Sequence, residues 1–241
     1  MSNGGGESSK QSYHRLLIGF NHHAECRKVL NFAAHVAQAA GAELSGVFVE
    51  DQDLLDLARL PFTTEILSAS GVIRNFDSHR AESDLRAIAK GMHDALRKLA
   101  GEVKKHYSFR TIRGHLLHDL IALGGKEDLI LFQNDTYLWP GHAPRRRTSP
   151  GPVLLLQSPG KGGGTDRLLA LAREIARSMH LEVHILENYS GPESLLNVKA
   201  SLIIAPLTLF NSGEDMDRFA AAAPAPVLMV PSTEASSHPH Q

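Results

Sequence analysis

Short apolar runs alternate along the chain with longer stretches in which apolar residues recur at helical spacing, and that alternation predicts an α/β protein. Leu16, Leu17, Ile18, Gly19 and Phe20 form an apolar run that predicts a buried strand. Residues 25–40 carry Val29, Phe32, Ala33, Val36, Ala37 and Ala40 on one helical face, and Gly41 is placed to end that helix as a C-terminal cap. A second run predicts a strand over 44–49, so the first 50 residues read as a βαβ unit with a right-handed crossover.

Residues 51–75 carry no clear period beyond a short helix over 53–60 that ends before Pro61, with Asp51, Asp53 and Asp56 capping or decorating it. Leu85, Ile88, Ala89, Met92, Leu96, Leu99 and Val103 then predict a long amphipathic helix over 78–105. A strand over 107–112, a turn at Gly114, a helix over 116–123 and a buried strand over 128–133 follow. The second half repeats the plan in shorter form, with helix 166–180, strands 181–186 and 201–207, helix 216–222 and strand 227–230.

That repetition is visible residue by residue. Val29, Leu30, Ala33, Val36, Ala37, Glu43 and Leu44 recur 139 positions later as Leu168, Leu169, Ala172, Ile175, Ala176, Glu182 and Val183. Pro-Gly-Pro-Val-Leu-Leu-Leu, ending at Leu156, is answered by Pro-Ala-Pro-Val-Leu-Met-Val, ending at Val230. About 78 residues separate the second and fourth strands of the first unit and about 14 those of the second, so the second copy has lost its middle. The run 153–157 matches both the closing strand of one unit and the opening strand of the other. Either one strand serves both units, or one unit lacks a strand.

The resulting division is a tail over 1–12, a first α/β domain over 13–150, a truncated second unit over 151–231 and a tail over 232–241. Composition agrees with a globular chain, since 42% of its 241 residues are hydrophobic. The formal charge of −1 gives no global field for nucleic acid or an anionic membrane. A single cysteine, Cys26, fits a reducing compartment. The polar N-terminus lacks the apolar stretch of a secretory signal, and no run approaches the ~18 residues of a membrane span, so a cytoplasmic location is expected.

Strand, helix, a strand ending Val47-Phe48-Val49-Glu50-Asp51, a long helix, strand, Gly114, helix, Asp128-Leu-Ile-Leu and a closing Pro-Val-Leu-Met-Val together resemble the universal stress protein family. The resemblance implies a parallel sheet with helices on both faces in strand order 3-2-1-4-5, here duplicated with a truncated second unit. Tandem pairs are common in that family, and one branch binds ATP. That branch uses an Asp after strand one and a Gly-x-x-Gly-x9-Gly-Ser/Thr loop after strand four. In this chain Asn21 stands at the first position, and the loop is replaced by a segment with Trp139, Pro140 and a single glycine, Gly141. Converging backbone amides cradle phosphate where glycines allow it, which this segment does not favour. The resemblance also makes a homodimer through the last strand an expectation.

Other chemistry is sparse. Ser158 to Thr165 is glycine-rich, but no Gly-Lys-Ser/Thr closes it, and Lys161 is its best anion contact. His22, His23, His115 and His118 follow strands one and three, which are not neighbours in the expected order, so they read as solvated loop histidines rather than a zinc site. Arg145, Arg146 and Arg147 form the one local basic cluster, next to Tyr137 and Trp139, and could meet a phosphate, a nucleic-acid backbone or an acidic partner surface. No serine or cysteine nucleophile comes with a base.

The sequence therefore predicts a non-catalytic, universal-stress-like regulatory or stress-response protein that binds a protein partner or small ligand, with no cofactor. The alternative is an adenine-nucleotide binder, for ATP or AMP, using Asn21, the backbone of Val47 and Gly114, Arg145, Arg146 and Arg147, and Lys161.

Overall fold

The computed structural model describes residues 13–21, 26–60, 62–66, 73–76, 78–133, 151–157, 165–195 and 198–231. Strands β1 (Arg15–Phe20) and β2 (Glu43–Asp51) flank helix α1 (Cys26–Ala40) as the predicted βαβ unit, and Gly41 closes α1 at φ 71°. Helix α2 (Gln52–Arg59) follows. Strands β3 (Thr64–Ile66) and β4 (Ile73–Asn75), in a stretch without a clear period, pair antiparallel as a separate hairpin. Helix α3 (Ser78–Val103), strand β5 (Tyr107–Gly114), helix α4 (Leu116–Leu123) and strand β6 (Asp128–Phe132) complete the first unit. The second consists of β7 (Val153–Leu156), α5 (Thr165–Ser178), β8 (Val183–Leu186), β9 (Leu202–Pro206), α6 (Gly213–Ala222) and β10 (Val227–Val230).

Among the described residues, all strands except the β3/β4 hairpin lie in one eight-stranded sheet of order β5-β2-β1-β6-β10-β9-β7-β8. Within each half the strands run parallel. In units of the repeat, the first half reads 3-2-1-4 and the second 5-4-1-2. The two halves meet at an antiparallel seam, where Val227, Leu228 and Met229 pair with Phe132, Leu131 and Ile130. The expected order therefore holds as far as the fourth strand, and the fifth place beside β6 is taken by the closing strand of the second unit, in the opposite direction. A free edge of backbone donors and acceptors on β6 is thereby paired.

The ambiguous run 153–157 belongs to the second unit, where β7 lies between β8 and β9. Its register refines the repeat. Leu16 faces Leu44, but it is Val153 and not Leu155 that faces Val183, so β7 is displaced by two residues from the 139-position offset of the repeat. An even displacement keeps each side chain on its own face of the sheet. The longer connector between β7 and α5 supplies the extra length.

β10 has both edges occupied, by β6 and β9. The last strand is therefore not available for pairing with a second chain, and the sheet's outer edges are β5 and β8.

One face of the sheet packs under α1, α3 and α5, with Leu16, Ile18, Phe48, Leu96, Ile175 and Leu228 at its centre. The opposite face packs under α4 and α6, around Leu17, Leu120, Phe132, Ile203, Phe219 and Met229. β6 and β10 are buried along their whole length, as strands covered on both faces should be. The equivalent helices α1 and α5 pack against each other, with the His35 ring Nδ1 3.0 Å from Ser178 Oγ. The Arg167 guanidinium of α5 lies 4.5 Å from the centre of the Tyr13 ring, another contact between units. No helix among the described residues is long and apolar enough to cross a membrane.

Candidate functional site: a crevice shared by the two units

In the first unit α1 and α4 cover opposite faces of the sheet, so the chain leaves the carboxyl end of β1 toward one face and the carboxyl end of β5 toward the other. That divergence opens a crevice beyond the carboxyl ends of the strands, where open α/β sheets bind ligands. It has a volume of about 510 Å³. Asn21 follows β1, Val49 and Asp51 end β2, Gly114 ends β5 and Phe132 ends β6, and all of them line it. Leu116 and Leu117 of α4 add apolar surface.

A further wall comes from the second unit. Asp217 and Ala220 of α6 line the crevice because the seam places β10 beside β6. Neither residue carried a sequence signal for this role, since their position depends on an antiparallel pairing that no local pattern announces. Phe219 beside them is fully buried and holds α6 on the sheet, with its ring 4.9 Å from that of Phe210 and 5.9 Å from that of Tyr189. Burial, followed by the neighbouring charges of Glu193 and Asp215, pushes the Tyr189 phenol up to about 12.

Two helices begin at the crevice, and a carboxylate of the chain itself bonds a backbone amide at the start of each. Asp51 is the N-cap of α2, and its Oδ1 accepts from the backbone N–H of Asp53 at 2.9 Å and of Leu54 at 3.3 Å. At α4 the N-cap is His115, whose side chain makes no capping bond. Instead, Asp119 folds back one turn, and its Oδ2 accepts from the His115 N–H at 2.7 Å. Gly114 makes room for this arrangement. Its φ is 155°, and a Cβ there would lie 2.0 Å from Asp119 Oδ2.

Among the described residues, the charged side chains lining the crevice are Asp51, Asp53 and Asp217, and the imidazoles of His115 and His118 line it too. His115 Nδ1 is 3.9 Å from Asp53 Oδ2, and His118 Nδ1 is 3.7 Å from Asp119 Oδ1. A nearby cation, Arg113, lies 3.2 Å from Glu50 and 3.8 Å from Glu82. Its strand position pairs it with Glu50, one residue before the Asp51 and Gly114 pair at the crevice mouth. Among the described residues no group of three or more His, Cys, Asp or Glu is placed to hold a metal ion.

Of the residues singled out from sequence, Asn21 and Gly114 are brought together at the crevice, as are His115 and His118. Val47 lies farther back along β2, opposite Gly19 and Arg110, with its side chain fully buried, and Val49 and Asp51 occupy the lining instead. Arg145, Arg146, Arg147, Lys161, His22 and His23 lie outside the described residues.

Strand order and crevice together define an α/β protein of universal-stress-like architecture. Among solved structures, the chain is similar to a universal stress protein from Archaeoglobus fulgidus DSM 4304, at 11% identity and a TM-score of 0.46, covering 91% of this chain and 97% of that one. It is also similar to a structure from Pseudomonas aeruginosa UCBPP-PA14 assigned to the same class, at 12% identity and a TM-score of 0.40, covering 92% and 94%. Likeness at this level adds nothing to what the strand order of the chain already states. No family profile matches the sequence, and the search of curated proteins found no match.

Proposed function

We propose that the protein is a universal-stress-like regulatory or stress-response protein that acts by binding and not by catalysis, with the first-unit crevice as its ligand site. The observation that carries this reading is the crevice itself, an opening of about 510 Å³ at the carboxyl ends of β1, β2, β5 and β6. Its described lining combines apolar side chains with carboxylates and imidazoles. Apolar floor and polar rim are the usual make-up of a small-molecule site.

A second reading, adenine-nucleotide binding, is favoured by one feature, the presence of Asn21 and Gly114 in the same crevice. It would have Asn21 hydrogen-bond a ribose hydroxyl and Arg145, Arg146 and Arg147 meet the phosphates.

Thermal unfolding of the full chain with adenosine, AMP, ATP and magnesium, agmatine and 2-phenylethylamine tests both. A ligand at 100 times its Kd stabilises by about 2.7 kcal/mol, well within the reach of a melting curve. No shift with any of the five would reject the crevice as a ligand site. Stabilisation by AMP and ATP that is lost in Asn21→Leu would select the nucleotide reading.

A further inference from the structure

We infer that the crevice takes a small organic cation, an ammonium or guanidinium group on an apolar body, and selects against phosphorylated ligands. The inference rests on the crevice being a ligand site and names the ligand class.

Three observations converge on it. The cavity has an apolar floor, made by Val49, Leu117, Phe132 and Ala220, which suits an aliphatic chain or a ring. Phosphate sites in α/β proteins draw on the free amides and positive end of a helix N-terminus. Here a carboxylate of the chain stands at both helix starts, Asp51 on the Asp53 and Leu54 amides of α2 and Asp119 on the His115 amide that precedes α4. An incoming phosphate would meet those negative charges at close range. Finally, carboxylates stand on both walls, Asp51 and Asp53 from the first unit and Asp217 from α6 of the second. The nearby Arg113 is directed to Glu50 and Glu82. A cation lying over the floor would therefore be held between the two halves of the molecule.

The test uses the full chain, with agmatine and 2-phenylethylamine as probes and adenosine and AMP as comparators, followed by calorimetry at 50 and 500 mM salt. The amines are expected to bind more tightly than AMP and to weaken at the higher salt. Asp217→Asn should weaken them about fivefold, the loss of one charge contact at ~4 Å in water-like surroundings. Asp217 is exposed, so the variant should melt like the parent; Asp53→Asn, also at an exposed position, provides an independent check. Amine binding that ignores salt and both substitutions would overturn the inference. Adenosine or AMP binding without amine binding would overturn it while leaving the crevice a ligand site. If none of the probes binds, the inference and the proposed ligand site fall together.

Discussion

Leu228 of β10 pairs with Leu131 of β6 across the antiparallel seam, and both side chains are fully buried in the core beneath α1 and α5. The two units are thus joined by core packing and a hydrogen-bonded ladder, not by a surface contact. Leu228→Ala is expected to lower the unfolding free energy by about 2–5 kcal/mol. Combined with Leu131→Ala it should depart from additivity by about 0.5–3 kcal/mol, because the two residues share one cavity. Urea denaturation of the two single variants and the double gives both numbers. Two separate transitions in the wild type would show that the units unfold independently and would contradict the shared core.

Occupancy of both edges of β10 has a consequence for association. A chain ending after Ala222 lacks β10 and leaves β6, five residues buried along its whole length, with a free edge. Such an edge recruits other strands. The truncated chain is expected to associate in a concentration-dependent way by analytical ultracentrifugation. A truncated chain that folds and stays monodisperse would show that β6 does not need its partner.

Asp128 begins β6 opposite Arg15 of β1 and is almost fully buried. Burial alone would raise its carboxyl, but the hydrogen bond from Arg15, the Gly125 backbone N–H at 2.9 Å and the Arg15 charge together bring it below the ordinary value of 3.8. A carboxyl lowered in the folded state contributes stability above its unfolded pKa, and that contribution is lost as pH falls through the folded value. Asp128→Asn keeps the shape and removes the charge, and should cost about 1–3 kcal/mol near pH 7. The gap between variant and parent should close in acid below about pH 3.8. Denaturation midpoints across pH measure it, and a gap that stays constant in acid would discount the charge.

At the packed pair α1 and α5 the sign is the same for a different group. Burial, and secondarily the proximity of His180, lower the His35 imidazole below its ordinary 6.5. The neutral ring is the form the fold prefers, so the stability it brings is present above about 6.5 and is lost as pH falls through the folded value. His35→Gln cannot take a charge and can still reach Ser178. Its urea midpoint is expected to fall less than that of the parent between pH 7 and pH 5. Parallel curves would remove His35 from the acid response.

Most of the fold was legible in the sequence because each unit states its own periods. Leu16 to Phe20 and Val227 to Val230 are apolar runs, and Val29, Ala33, Val36 and Ala37 mark a helical face whose counterpart in the second copy packs against it. The seam was not legible, since the side chains of Leu131 and Leu228 would be equally buried in a parallel fifth strand. The β3/β4 hairpin was missed because three-residue strands are too short to show a period. Half of the crevice was readable from Asn21 and Gly114 at strand ends. Asp217 and Ala220 reach it only through the seam, so local sequence could not have named them.

Gly114 and Asp119 offer the sharpest single test of how the crevice is wired. Gly114→Ala places a Cβ 2.0 Å from Asp119 Oδ2 at a φ of 155°, so it must both strain the backbone and push the carboxylate off the His115 amide. The backbone share of the cost is about 1–3 kcal/mol and should persist in Gly114→Ala/Asp119→Ala, whereas the clash should vanish. Asp119→Ala alone should act differently. It uncovers the N-terminus of α4, where backbone N–H groups and the helix dipole favour an anion. Sulfate or AMP is therefore expected to raise the melting temperature of Asp119→Ala more than that of the parent. An equal response in both proteins would mean that the Asp119 carboxylate is not what keeps anions from the start of α4.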